Sequence, residues 1–152
     1  FRKKYAEFLK TDFPRIPFTK DLRIFQKVAQ KGAQLIDLHL LKPQKLARPT
    51  ARCEGSGNMR VVKVSYDAKK ERVFINAEKR FSGIPYEVWD YHIGGYQVCE
   101  KWLKDRKGRM LSSEETTTYV NVVTALAETI KIQESLDKLF KEVESNILEV
   151  SL

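Results

Sequence analysis

Residues 112–152 contain neither glycine nor proline. Within them Tyr119, Val122, Val123, Leu126, Ile130, Leu136, Leu139, Phe140, Val143 and Ile147 recur at steps of three and four. That spacing lines one face of an α-helix. Ser112, with Glu115 three residues on, fits a capping box that starts it. A helix over the whole stretch would run about 50 Å, long for a small domain. The pattern therefore predicts a helix over 113–147, either broken near Gln133 or free-standing at its far end.

The remaining segments are shorter. Residues 2–10 read as a helix with Tyr5, Phe8 and Leu9 at core spacing. Pro14 and Pro17 then favour an extended segment over 11–18. Thr19 is a good N-cap, and Leu22, Phe25, Val28, Leu35 and Ile36 carry an apolar stripe that predicts a helix over 19–40. Residues 42–58 lack periodicity and are expected to form a loop. Val62, Val64 and Tyr66 alternate with polar residues, as do Val73 and Ile75, which predicts a hairpin of strands 59–66 and 72–77. Residues 81–85 read as a connector and 85–88 as a helical turn. The stretch 89–109 holds both tryptophans and reads as a short strand, the Gly94-Gly95 turn, a helix over 97–107 and a basic exit. Val98, Trp102 and Leu103 fall on one face of that helix, and Lys101 and Lys104 on another. The expected fold class is α+β: a small, mainly antiparallel sheet, made of the hairpin 59–77 and a strand near 89–93, packed with helices and the long C-terminal helix.

The formal net charge is +8, unevenly spread. Residues 1–52 carry 13 Lys and Arg against 4 Asp and Glu. Residues 53–112 carry 12 against 8, and residues 113–152 carry 3 against 8. A basic body and an acidic C-terminal section point to one face built for an anion and another that is not. No run approaches about 18 consecutive apolar residues, and no basic amphipathic helix has a broad apolar face, so nucleic acid is favoured over a membrane as the partner. Cys53 and Cys99 give no metal-ligand spacing and no disulfide framework, which favours a reduced, cytoplasmic setting. A start at Phe1 without a signal peptide reads as a piece of a longer protein.

Catalytic motifs do not emerge. There is no phosphate-binding loop of the G-x-x-x-x-G-K-[ST] type, no G-x-S-x-G elbow and no H-E-x-x-H. His92 near Asp90 and Cys99 does not make a triad, and Cys99 reads as a small core residue. No catalytic residue and no metal site are assigned. Basic and polar side chains give a better case for binding. Lys45, Arg48 and Arg52 in the loop, and Lys101, Lys104, Arg106, Lys107 and Arg109 around the second basic run, are expected to hold phosphates. Tyr96 and Gln97, read as the helix start after the glycine turn, would add hydrogen bonds there. The bland reading of these residues is core packing for the aromatics, with solvated cations that complement a helix C-terminus.

Specific stretches resemble a known family. W-D-Y-H-I-G-G-Y-Q at 89–97 and K-W-L-K-D-R-K-G-R at 101–109 resemble the C-terminal specificity domain of type ISP restriction–modification enzymes. D-F-P-R-I-P-F-T at 12–19 and L-H-L-L at 38–41 resemble the segment where the adenine methyltransferase of those proteins runs into the recognition domain. Residues 119–130 resemble the helix that closes it. The resemblance implies that 1–41 continues a methyltransferase or linker region and that 42–152 is a DNA target-recognition domain. It implies double-stranded DNA and an upstream methyltransferase domain of the same chain as partners. Nuclease, ATP-driven translocase and methyltransferase chemistry, with S-adenosylmethionine and ATP with magnesium, would belong to the parent protein, with no cofactor in this fragment. The loop and hairpin at 42–77 match the family pattern least and are where sequence choice is expected. A competing reading makes the chain a protein-interaction or lid segment of the methyltransferase.

Overall fold

The computed structural model describes residues 17–148. The helix expected at 2–10 lies outside them. The described helices are α1 (Leu22–His39), α2 (Tyr86–Trp89), α3 (Val98–Lys104) and α4 (Ser113–Glu144), with a 3-10 turn at Pro43–Lys45. The strands are β1 (Arg52–Glu54), β2 (Ser65–Asp67), β3 (Arg72–Phe74), β4 (Arg80–Ser82), β5 (His92–Ile93) and β6 (Tyr96–Gln97). This is the α+β class expected. By contacts the chain forms two compact units, one of Asp37–Ile130 and one of the described parts of Phe1–Ile36 and Lys131–Leu152.

In the larger unit a four-stranded sheet runs in the order β1-β4-β3-β2, every pair antiparallel. Directly opposed residues share a face. Cys53, Phe81, Val73 and Tyr66 therefore make one row on the inner face. Val73 and Phe81 are fully buried in a core shared with Val61, Ile75, Ile84, Val88, Cys99, Leu103 and Tyr119. The rings of Phe81 and Tyr119 lie 4.5 Å apart, and those of Tyr119 and Trp102 5.2 Å. Tyr66 stacks on Trp89 at 4.9 Å while its hydroxyl donates to the Ile84 carbonyl. The outer face carries two rows, Arg52-Ser82-Arg72-Asp67 and Glu54-Arg80-Phe74-Ser65.

Several expectations need correction. The segment 81–85 is not all connector: Arg80–Ser82 is a central strand, paired on both sides. The loop 42–58 contains β1, the edge strand beside it. Gly83 has φ +79°, and a Cβ there would meet the Thr50 carbonyl oxygen at 2.6 Å, so the chain leaves β4 through a position only glycine fits. Of the strand expected at 59–66, only Ser65–Asp67 is regular. Val62 N–H donates to the Ile75 carbonyl, but Val61 N–H donates to Arg109 and Leu111 N–H to Met59. Residues 59–62 thus divide their hydrogen bonds between two neighbours. The strand near 89–93 is present as β5, yet it pairs with β6 rather than with the 59–77 hairpin.

α4 is continuous over 32 residues, about 48 Å, with no break at Gln133. Its expected capping box forms: Glu115 N–H donates to Ser112 Oγ at 3.0 Å, and Ser112 N–H to Glu115 Oε2 at 3.1 Å. In the smaller unit the cap of α1 is Asp21, not Thr19. Its carboxylate accepts from Arg23 N–H at 2.7 Å and Ile24 N–H at 3.3 Å, while Thr19 Oγ1 accepts only from Asp21 N–H. Lys20 N–H donates to the Asn146 carbonyl and Leu148 N–H to that of Phe18, tying the two end segments together.

Phe81 joins the sheet to the helices through one ring. Phe81→Ala is expected to destabilise the fold by about 3–5 kcal/mol, read as a lowered urea midpoint at unchanged slope.

Candidate nucleic-acid interface

The second basic run folds as a β-hairpin, a short helix and a tight exit. Gly94 and Gly95 are the two residues between β5 and β6, with Gly94 at φ +62°. They close a hairpin and do not start the helix, which begins at Val98. Ile93 and Tyr96 are opposed across the hairpin and both are exposed, Tyr96 at 64%. Gln97 faces inward instead: its Nε2 donates to the Trp89 carbonyl, tying the hairpin to the end of α2.

α3 ends at Lys104, earlier than the expected 107, and the chain turns out through Gly108. Val98, Cys99, Trp102 and Leu103 point to the core, as their spacing predicts. Burial pushes the Cys99 thiol up to about 12, so it is an inert core group. The lysines on the other face are paired along the helix, Lys101 to Asp105 at 2.8 Å and Lys104 to Glu100 at 2.8 Å. Lys101 Nζ also sits 5.4 Å from the Tyr96 ring centre.

Arg106 and Arg109 are held differently. Arg106 lies flat over Trp102, its guanidinium carbon 3.5 Å from the ring centre, and donates to the Trp102 carbonyl. Its Nε also donates to Glu115 Oε1 at 3.2 Å, and Arg109 Nη2 reaches the same oxygen at 3.0 Å. Glu115 therefore caps α4 with one oxygen and clamps the basic exit with the other. The Ser112 N–H, then the Arg109 and Arg106 charges, hold its carboxyl below the ordinary 4.5. Sequence reading missed this, because a glutamate in a capping box gives no sign of distant arginines.

Arg48 is exposed in the loop after the 3-10 turn that Lys45 closes, and Arg52 is exposed on β1. Lys107 is exposed beyond α3. No ion pair ties Arg48, Arg52 or Lys107 among the described residues. Sequence reading also missed Arg72, Arg80 and Glu54 on the outer sheet face. The alternation of Arg72 and Phe74 with Val73 and Ile75 signalled that face, but β4 was read as a connector. Beside the β3–β4 turn, Asn58, Arg60, Val62, Asn76, Ala77 and Glu78 line an open cleft of about 320 Å³. Asn76 is spent on structure there. Its amide donates to the Asn58 and Arg60 carbonyls, and its oxygen accepts from Glu78 and Lys79 N–H. His92 Nδ1 bonds its own neighbour's carbonyl, at Asp90. No group of three or more potential metal ligands occurs among the described residues, and no described helix is long and apolar enough to cross a membrane.

Two predictions follow from these contacts. Gln97→Ala leaves the Trp89 carbonyl without its donor and is expected to cost about 1–3 kcal/mol in a thermal melt, more than a surface substitution would. Glu115 has a depressed folded pKa, so its contribution is complete above about pH 4.5 and is lost as the pH falls through the folded value. Glu115→Gln is therefore expected to melt lower than the parent at pH 7. The two melting temperatures should converge in acid titrations below pH 4.5.

Residues 1–135 match the Type ISP C-terminal specificity domain. No curated protein matches the chain. Among solved structures, the chain is similar to a nuclease-deletion mutant of the Type ISP restriction–modification enzyme LlaGI in complex with a DNA substrate mimic. The identity is 24% and the TM-score 0.60, over 88% of this chain and 12% of that one. The ATP-dependent Type ISP enzyme LlaBIII bound to DNA matches at 23% identity and TM-score 0.57, over 90% of this chain and 10% of that one. The DrdV–DNA complex, seen by cryoEM, matches at 23% and 0.61, over 87% and 16%. At these identities the likeness is one of fold, and the chain spans only 10–16% of the length of those proteins. The chain belongs to the family of Type ISP C-terminal specificity domains.

Proposed function

We propose that this chain recognises a target sequence in double-stranded DNA as the specificity module of a Type ISP restriction–modification enzyme. The match of residues 1–135 to the specificity domain carries the reading. The three solved relatives were all determined with DNA or a DNA mimic, and the net charge of +8 suits the same ligand. In this reading methylation and cleavage, with S-adenosylmethionine, ATP and magnesium, reside in other domains of a cytoplasmic parent protein. Residues 1–41 run in from its methyltransferase.

The proposed phosphate contacts are Lys45, Arg48, Arg52, Lys101, Lys104 and Lys107. The Lys101 and Lys104 pairs are exposed, and such pairs contribute well under about 1 kcal/mol, so a phosphate can displace the carboxylates. Arg106 and Arg109 act here mainly by fixing the exit loop through Glu115. Tyr96 offers its ring and hydroxyl at the hairpin, while Gln97 supports that hairpin from below.

One observation favours a second role for the smaller unit. Leu22, Phe25, Ala29, Ala33 and Ile36 form a stripe on α1, and all five are exposed. In our reading that stripe packs on the upstream methyltransferase domain, alongside DNA recognition in the larger unit.

Titration of the chain with duplex DNA across a salt series tests the main reading. Affinity is expected to fall steeply with salt, and Lys101→Ala with Lys104→Ala together should weaken binding to all sequences about equally. If both lysines touch phosphates, the log–log salt slope should flatten by about two units. An unchanged affinity and slope would remove α3 from the interface. No salt-dependent binding by the parent chain would remove DNA as the ligand.

A further inference from the structure

The outer face of the four-stranded sheet holds more guanidinium groups than a structural ion pair requires. Arg52, Ser82 and Arg72 stand in one row across β1, β4 and β3, with Glu54, Arg80 and Phe74 in the next. Three guanidiniums thus share the two rows with two carboxylates, Glu54 and Asp67, and Asp67 lies opposite Arg72 at the far end of its row, where its Oδ1 accepts from the Lys69 and Lys70 N–H groups of the next turn. The Ser82 hydroxyl donates to Glu54 Oε2 at 2.8 Å. That bond, followed by the Arg80, Arg72 and Arg52 charges, holds the Glu54 carboxyl below its ordinary range. Arg80 Nε comes only to 3.6 Å from the same oxygen. It is shut off from solvent and makes no hydrogen bond among the described residues. Two carboxylates, one of them engaged by turn N–H groups, cannot satisfy fifteen guanidinium N–H donors, so donors on the partly exposed Arg72 and Arg80 are left for a ligand.

Two simpler roles fit poorly. A structural ion pair needs one arginine, not three. A phosphate clamp would not carry a fixed negative charge beside its donors, where it repels the ligand. Donors set beside a carboxylate acceptor suit an object that presents both kinds of edge within a few ångströms. In the major groove guanine offers O6 and N7 as acceptors and its partner cytosine offers N4–H₂ as a donor. Neighbouring strands lie about 5 Å apart, so Arg72 on β3 and Arg80 on β4 fall within the roughly 12 Å width of that groove.

We propose that this sheet face is the base-reading surface of the domain, with Arg72 and Arg80 donating to guanine and Glu54 accepting from cytosine at a G·C pair of the target. The inference rests on the DNA-recognition reading above and adds to it the place and chemistry of the readout. It also divides the labour: the cations of α3 and of the loop set affinity, and the sheet sets sequence.

Selection from a pool of duplexes randomised over the binding window tests this, using the 152-residue chain and three variants, Glu54→Gln, Arg72→Ala and Arg72→Lys. The parent chain is expected to enrich a motif with at least one strongly preferred G·C pair. Arg72→Ala should lower the guanine preference at one position by about tenfold. Glu54→Gln brings an amide that suits adenine and should move or relax the preference at one position, with the salt slope unchanged. Arg72→Lys keeps the charge but loses the paired guanidinium donors, so the same loss of guanine preference is expected of it if Arg72→Ala fails to melt cooperatively. The same motif with the same preferences in the folded variants overturns the proposal while leaving DNA recognition intact. So does a uniform loss of affinity with a flattened salt slope, which marks the face as a phosphate contact only. A parent chain that enriches no sequence overturns the proposal together with the reading on which it rests.

Discussion

The contact on which the larger unit depends is the ring cluster of Phe81, Tyr119 and Trp102. Phe81 comes from the centre of the sheet, Tyr119 from the first turns of α4 and Trp102 from α3. None of these elements can stand alone. Three-residue strands bury one side chain each, and a seven-residue helix lies below the length at which helices persist in water. Joining them through large rings removes most of their apolar surface from water at one point. The cluster tolerates a cost in return, because the Tyr119 hydroxyl is buried with no hydrogen-bond partner among the described residues. An orphaned hydroxyl costs about 1–3 kcal/mol, comparable to what burying one large apolar side chain contributes.

Electrostatics then decides which cations are available to a ligand. A count of Lys and Arg treats the 101–109 run as five equal charges. In the fold they fall into three kinds. Lys101 and Lys104 are exposed and loosely paired one turn away. Arg106 is held by a ring, a carbonyl and a carboxylate, and Arg109 shares that carboxylate. Lys107 is exposed without an ion pair among the described residues. Glu115 makes the difference, because it draws two of the five charges into the framework of the domain. The positive field survives, but the side chains free to follow a phosphate backbone are fewer than the sequence count implies.

How legible the chain was depended on how many residues each element spends on its own pattern. α4 and its capping box were readable because ten apolar positions repeat one period and Ser112 meets Glu115 locally. The Val73 and Ile75 alternation gave the hairpin, and the apolar stripe gave α1 to within a few residues. β1 and β4 were not readable. Each has three residues and a single inward side chain, Cys53 or Phe81, which cannot establish a period of two. Gly83 and Pro85 beside β4 look like loop punctuation, and only the close approach to Thr50 shows that the glycine serves a sheet. The candidate site suffered from the same blindness. Cations in a run are visible in sequence, whereas Arg52, Arg72 and Arg80 come together only through strand register. Gln97 looked like a surface amide because nothing local marks the Trp89 carbonyl, eight residues back, as its acceptor.

The sheet carries two independent codes on its two faces, and this bears on how such a domain can change what it recognises. The inner row of Cys53, Phe81, Val73 and Tyr66 is fixed by packing, and any change there opens a cavity or forces a strain. The outer residues are half-buried or exposed, none of them fully buried, and substitutions outside the core and away from special features usually cost less than core ones. Strand register holds each outer side chain at a set position whatever its chemistry, because the backbone ladder and the inner row determine it. A new pattern of donors and acceptors can therefore be written on the outer face without rebuilding the fold beneath. The exception is Glu54 with Arg80. Truncating Glu54 would leave a buried guanidinium nitrogen without its nearest acceptor, whereas glutamine keeps an amide oxygen there.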